Sequence, residues 1–268
     1  MKIRFHHTTA YHFDQPVPYG LQRVRLKPKD SAHQQVLGWS MEVQGGVCEA
    51  EYDDAHRNHC SLIRVEEGAR SVEIVCSGEV ETVEDYHGVV GAHQGYTPLW
   101  LFRQPTALTK AGAIVTALAS RVRAEGHEGD VALMHGLSNA IADAVAYQIG
   151  MTDARTSAEE AMQIGQGVCQ DHAHIFIAAA RLLGIPARYV SGYLFMEDRV
   201  EQEAGHAWAE AYLDGLGWVG FDVSNRVCPD KHYVRVATGR DYADASPVHA
   251  MTFGGGDSSM LVSLRVDQ

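Results

Sequence analysis

The chain has 268 residues, 46% hydrophobic and 21% charged, with a formal net charge of −12. That balance supplies apolar side chains for one large or two small cores, and the acidic excess argues against a nucleic-acid partner, whose phosphates call for clustered Lys and Arg. No apolar run reaches the roughly 18 residues of a membrane helix, and the five cysteines (Cys48, Cys60, Cys76, Cys169, Cys228), odd in number and without a C-x-x-C pair, argue against a disulfide framework or a thiolate zinc cage.

The first segment, MKIRFHHTTAYHF, alternates charged and apolar residues and has neither the apolar stretch nor the cleavage site of a signal peptide, so a cytoplasmic location is expected. Alternation continues through LQRVRLKP, WSMEVQGG, HCSLIRVEEG and SVEIVCSGEVETV, divided by Gly, Asp and Asn turns. Period two means one buried and one wet face, and we expect an antiparallel, sandwich-like β domain over residues 1–95. Four of the cysteines, all but Cys169, read as small buried hydrophobes.

Past the HGVVGAHQGYTPLW region the period changes to helical. Leu108, Ile114, Val115, Leu118 and Val122 share one face, ending at Gly126. A second helix is expected in DVALMHGLSNAIADAVAYQIG, with Asp130 as N-cap and Gly150 past its end. A short third follows in TSAEEAMQIG, where Thr156 and Glu159 have capping-box spacing. The fourth carries the stripe Ala173, Phe176, Ile177, Ala180 and Leu183, is capped by Gly184 and is stopped by Pro186. ARYVSGYLF, HAWAEAYL and GWVGFDV then read as strands, and KHYVRVATG, HAMTFG and MLVSLRVDQ are expected to complete the same sheet, with FGGGDSS as a hairpin tip. The fold class is therefore α+β: a β domain, then a catalytic-core domain over residues 96–268 with helices on an antiparallel sheet and C-terminal strands.

Chemistry concentrates at Cys169. It follows Gly165-Gln166-Gly167 at the first turn of the fourth helix, where free backbone N–H groups and the positive end of the macrodipole favour thiolate over thiol. The same N–H groups can hold an oxyanion on an attacked carbonyl. Such a nucleophile needs a base, and the base an acceptor that fixes its tautomer. His206 opens a strand after the polar loop MEDRVEQEAG, and Asp222 closes the next one, so a hairpin would bring the two to the same end of the sheet. His172 and His174 lie two apart, about 200° around a helix, and cannot share a metal. Asp171 could charge the site, though an acid in a first turn is ordinary. Trp208 and Trp218 read as core or cleft wall. No metal and no cofactor is expected, and no D-x-D-x-D-G loop suggests calcium.

GVCQDHAHIFIAAARLLGIPARYVSGYL and HAWAEAYLDGLGWVGFDVSN resemble the core of the transglutaminase-like superfamily, which shares the Cys-His-Asp arrangement of papain-like thiol enzymes. YHFDQPVPYGLQRVRLKP resembles the N-terminal β domain of a bacterial branch of that family, and GRDYADASPVHAMTFGGG resembles that branch's tail. The resemblance implies Cys169 as nucleophile, His206 as general base and acid, and Asp222 as the orienting acid. Gln163 and Gln166, just before the cysteine, are both candidates for the second oxyanion donor. Two departures stand out: Asp222-Val223-Ser224 replaces Asp-Pro-Thr, and in Asp54-Ala55-His56-Arg57-Asn58 an arginine occupies the glycine position of an Asp-x-x-Gly-Asn turn.

The expected activity is acyl transfer from an amide or peptide through a thioester on Cys169. Water as acceptor makes the protein a cysteine protease or amidase, the favoured outcome; an amine makes it a protein-glutamine transglutaminase. A non-catalytic binding module retaining the fold is the alternative that the intact Cys169, His206 and Asp222 argue against. The partner is then a protein or peptide substrate, with no nucleic acid or membrane; a recognition protein in which residues 1 to about 90 select the substrate or partner is a third reading, compatible with the first. Substrate identity and oligomeric state are not written in the sequence.

Overall fold

A computed structural model describes every residue except residue 85. The N-terminal half is built from β1 (Lys2–Val17), β2 (Tyr19–Val24), β3 (Gln34–Gln44), β4 (Gly46–Asp53), β5 (His59–Val65), β6 (Ala69–Thr82) and the short β7 (Val89–Gly91), followed by a single 3-10 turn at Leu99–Arg103. The helical stretch holds α1 (Ala113–Ala124), α2 (Gly129–Ala144), β8 (Ala146–Tyr147), α3 (Ala158–Ile164), β9 (Gln166–Gly167) and α4 (Cys169–Leu182). The remainder comprises β10 (Ala187–Leu194), β11 (Glu201–Gln202), β12 (His206–Leu213), β13 (Gly217–Phe221), β14 (Tyr233–Gly239), α5 (Tyr242–Ala245), β15 (Val248–Phe253) and β16 (Ser258–Asp267). The class is α+β, as the pattern implied.

Two sheets, ordered β11-β16-β1-β6-β3 and β15-β2-β5-β4, form the N-terminal sandwich. Phe13, Val17, Val24, Ile63, Val72 and Ile74 fill the space between them. The core sheet is β14-β10-β12-β13-β7, antiparallel throughout. Its helix-facing side packs Ala209, Ala211, Val219 and Phe221 against α4, whose Ile175, Phe176 and Ile177 are wholly buried. A third cluster joins Ile3, Phe5 and Val80 of the sandwich to Tyr193, Val234 and Val236 of the core sheet.

The expected role of the last strands needs correction. β14 does complete the core sheet, but β15 pairs with β2 and β16 pairs with β1 over Arg4–Phe13. Alternation identifies a strand and not its partner, and the sandwich offers two unsatisfied edges. The glycines 254–256, all at positive φ, therefore lead from one sandwich sheet to the other and are not a hairpin tip. Conversely, β7, from the N-terminal side, adds to the core sheet beside β13.

The helices also differ at their ends. α1 starts at Ala113 and not near Leu108, α2 has Glu128 rather than Asp130 at its N-cap, and α2 ends at Ala144 because Ala146–Tyr147 pairs in parallel with Gln166–Gly167. The capping box of α3 is Ser157 with Glu160, one residue beyond Thr156 and Glu159. Glu159 instead caps α1, accepting from the N–H groups of Gly112, Ile114 and Val115 at 2.9, 2.7 and 3.1 Å. Of the cysteines, Cys60 and Cys76 are buried as expected, Cys228 is half-buried, and Cys48 is exposed.

Candidate active site

Helix α4 begins at Cys169 on an N-cap, Val168, that has no side-chain acceptor to offer. Asp171 supplies one instead: its Oδ2 accepts from the Val168 N–H at 2.8 Å and from the Thr152 hydroxyl at 2.6 Å. That reciprocal cap spends the Asp171 carboxylate on shaping the helix tip, and burial pushes its pKa upward. Gly167 is required there, since a Cβ on it would lie 2.7 Å from Asp171 Oδ2. The turn before the cysteine is thus fixed by a glycine, a buried carboxylate and the Tyr147–Gly167 bridge.

His206 and Asp222 come from the β12–β13 hairpin. Ala209 faces Phe221 and Glu210 faces Gly220, so Asp222 continues opposite Trp208, with His206 its diagonal neighbour. His206 Nε2 lies 2.6 Å from Asp222 Oδ2, and the ring lines the same cleft as Cys169. Burial opposes a charged ring, but the hydrogen bonds to Asp222 and Cys169 outweigh it and hold the His206 pKa up at about 10. For Asp222, burial is likewise overcome by the bonds from His206, Asn225 and Tyr233, and its pKa is lowered. The Tyr233 hydroxyl donates at 2.8 Å, Asn225 Nδ2 at 2.7 Å and the Asn225 N–H at 3.2 Å. These bonds hold the turn where the family's proline is missing, and Ser224 adds a 2.8 Å contact to His172 Nδ1.

Cys169 and His206 open onto a cleft of about 250 Å³ between the core sheet and the sandwich. Its walls are largely apolar: Leu26, Val248, Met260 and Val262 come from the sandwich side, and Tyr189 and Val236 from the core sheet. Gly192, opposite His206, leaves room for the Trp208 ring and the Val234 carbonyl, which any Cβ would strike. His7 reaches in from β1, its ring 3.1 Å from the Tyr193 hydroxyl and 3.0 Å from Thr9 Oγ1. Burial, reinforced by His6, lowers the pKa of His7 to about 4, so it stands neutral in the wall. Among the described residues, no carboxylate lines this cleft.

Neither glutamine candidate lines it. Gln163 is exposed on α3 beside a separate surface hollow with Asp153 and Arg155, and Gln166 is held in β9 against Ala146. Tyr147, which the sequence did not single out, lies near Cys169, and burial raises its phenol pKa, with Cys169 adding to it. A tyrosine following β-branched Val145 at the end of a helical pattern carried too little signal to be found. His172 and His174 are both buried and point to different partners: His172 Nε2 to the Val145 carbonyl at 2.9 Å, His174 Nε2 to the Tyr242 N–H at 3.2 Å. Trp208 and Trp218 are buried, Trp208 beside His206 and Tyr233.

Two family models match this chain: the transglutaminase-like superfamily core over residues 116–223, and the bacterial transglutaminase-like N-terminal region over residues 3–81. The chain belongs to the transglutaminase-like superfamily, a family of cysteine-dependent enzymes. The crystal structure of a "putative cysteine protease" from Cytophaga hutchinsonii superposes on the whole chain and on 90% of that protein, with a TM-score of 0.78 at 24% identity, and so has the same fold. An uncharacterized protein of Mycobacterium leprae is 27% identical over 99% of this chain and 98% of its own length. Another, from Mycobacterium tuberculosis, is 26% identical over 97% and 90%.

Proposed function

We propose that the protein is a thiol hydrolase of amides or peptides. Cys169 is the nucleophile, His206 the general base and acid, and Asp222 the group that holds the imidazole. The reading rests on one observation, an imidazole that is bonded to Asp222 at 2.6 Å through Nε2 and lines the same cleft as the Cys169 thiol. The thiolate adds to the substrate carbonyl. The His206 imidazolium gives its proton to the leaving nitrogen as the C–N bond breaks, and an amine departs. The neutral ring then takes a proton from water, whose oxygen adds to the thioester. Collapse releases the carboxylic acid and restores thiolate and imidazolium. The Cys169 N–H at the helix start serves as one oxyanion donor.

The apolar lining favours an acyl side chain that is neutral and apolar. Hydrolysis is favoured over amine transfer because no carboxylate among the described residues lines the cleft to receive a lysine-type ammonium, while His206 stays 13% exposed to water. The test is a peptide panel, with and without a labelled primary amine, scoring cleavage, ammonia and amine incorporation separately. Cleavage dominant, and lowered at least about a thousandfold in Cys169→Ala, is the expected result. Amine incorporation exceeding cleavage supports the transglutaminase alternative. Absence of all three, with Cys169 no more reactive to iodoacetamide than a model thiol, supports a binding module.

A further inference from the structure

Successive residues of a strand face opposite sides of a sheet. On β10 and β14, Tyr189 and Val236 line the catalytic cleft, whereas their neighbours Arg188 and Arg235 line a second cavity of about 240 Å³ on the other face. Its remaining walls come from the Lys27–Ala32 loop, the Asp54–Asn58 turn and the segment after β7. It therefore lies where the sandwich meets the core sheet.

The charge inside is unbalanced. Lys29, Arg188 and Arg235 converge there, and among the described residues the carboxylate between the two arginines is Glu210, itself fully buried. Glu210 accepts from Arg188 Nε at 2.6 Å and from Arg235 Nε and Nη2 at 2.7 and 3.1 Å. Both Nη groups of Arg188, a side chain only 8% exposed, and Nη1 of Arg235 have no acceptor among the described residues. The Arg188 guanidinium is pinned 3.8 Å over the Trp218 ring, so its free edge is held in place. Lys29 donates to the His56 carbonyl and Asn58 Oδ1, and burial together with the charges of Arg235 and Arg188 drives its pKa well down. Of the acids on the wall, Asp30 accepts from the Val36 N–H, and Asp53 lies beside His59, 3.7 Å away.

The rim adds an independent observation. Arg57 sits at φ 58°, left-handed backbone that glycine occupies freely and arginine does not. Nothing in the Asp54–Asn58 turn needs a side chain at that position. The turn is held by Asp54 Oδ1 accepting from the His56 and Asn58 N–H groups. What the arginine adds is a guanidinium stacked on Tyr96 at 5.5 Å and a further basic group on the cavity wall, beside Lys27. In a chain of net charge −12, this is a concentrated and preorganised positive site.

We propose that this cavity is a binding site for a small multivalent oxyanion, a phosphate- or carboxylate-bearing molecule held by the free edge of Arg188, Nη1 of Arg235, Lys29 and Arg57. Planar guanidinium edges suit the paired oxygens of either group. The bound anion would bridge sandwich and core sheet and strengthen their contact without entering the catalytic cleft. The assignment does not depend on the proposed hydrolysis.

The test titrates the full-length protein separately with inorganic phosphate, pyrophosphate and citrate, following Tm and calorimetric heat, with sodium chloride at matched ionic strength as control. At least one anion is expected to give a saturable Tm rise of several degrees that chloride does not. The arm saturating at the lowest concentration assigns phosphate or carboxylate chemistry. Arg57→Gly, which suits the left-handed backbone and folds, should weaken that anion about tenfold, and Lys29→Met should abolish the saturable response. If Lys29→Met does not fold, the Arg57→Gly comparison decides. No saturable response beyond chloride from any of the three anions, or unchanged affinity in Arg57→Gly, overturns the proposal.

Discussion

Asp222 is buried, yet it accepts from an imidazole, a tyrosine and an asparagine, and this crowd of donors keeps it ionised beneath His206. Because the folded pKa of His206 is raised, to about 10 from 6.5, the protonated ring stabilises the fold. That contribution is fully present below pH 6.5 and is lost as pH rises through about 10. Thermal stability of the wild type should therefore decline across that window, and the alkaline limb of kcat/KM should have an apparent pKa near 10. In Asp222→Asn the limb should move toward the unperturbed value and the decline in Tm should flatten; a limb that stays in place would remove Asp222 from its role. On the opposite face, Glu210→Gln leaves Arg188 and Arg235 without their buried counter-charge, and a loss of about 3–5 kcal/mol in urea unfolding is expected. The pairing of His206 with Asp222 was legible because both sit at one end of two consecutive strands. Tyr147 and the Arg188–Glu210–Arg235 group were not, because their partners lie across elements whose packing no periodicity reveals.

Secondary structure followed the hydrophobic period, and element ends followed side-chain hydrogen bonds. Thr156-x-x-Glu159 and Ser157-x-x-Glu160 fit the same capping pattern, and spacing alone does not separate them. The choice falls to Ser157 because Glu159 turns to the open N-terminus of α1, while Thr156 closes a turn by accepting from the Asp153 N–H at 3.0 Å. A long-range cap of this kind has no local signature. It predicts that Glu159→Ala, remote in sequence from α1, frays that helix. The expected cost is about 1–2 kcal/mol in urea unfolding, with faster amide exchange at Ile114 and Val115. Exchange unchanged at those amides would show that solvent replaces the carboxylate at no cost. The strands tell the same story at larger range: β15 and β16 read as strands correctly, but their partners β2 and β1 lie more than two hundred residues earlier in the chain.

For the molecule as a whole, that return of the chain locks the sandwich to the core and completes the catalytic cleft with Met260 and Val262. Among the polar connections, Gln34 bonds both backbone groups of Arg235, and Asn58 does the same for Thr238. Asn58 is buried, its Nδ2 donates to the Thr238 carbonyl at 2.8 Å and to Asp54 at 2.9 Å, and its Oδ1 accepts from the Thr238 N–H at 2.9 Å and Lys29 Nζ at 2.7 Å. The amide thus acts as a strand partner for β14 supplied by a turn of the sandwich. Asn58→Ala orphans both backbone groups of Thr238, and each buried group left without a partner costs about 1–3 kcal/mol. A loss of roughly 2–5 kcal/mol is therefore expected, read as a lower urea midpoint. The apolar cluster of Ile3, Phe5, Tyr193 and Val234 still joins the two parts, so the transition should remain single with an unchanged m value. Two separated transitions in Asn58→Ala would instead mean that the amide, and not the apolar contact, makes sandwich and core unfold together.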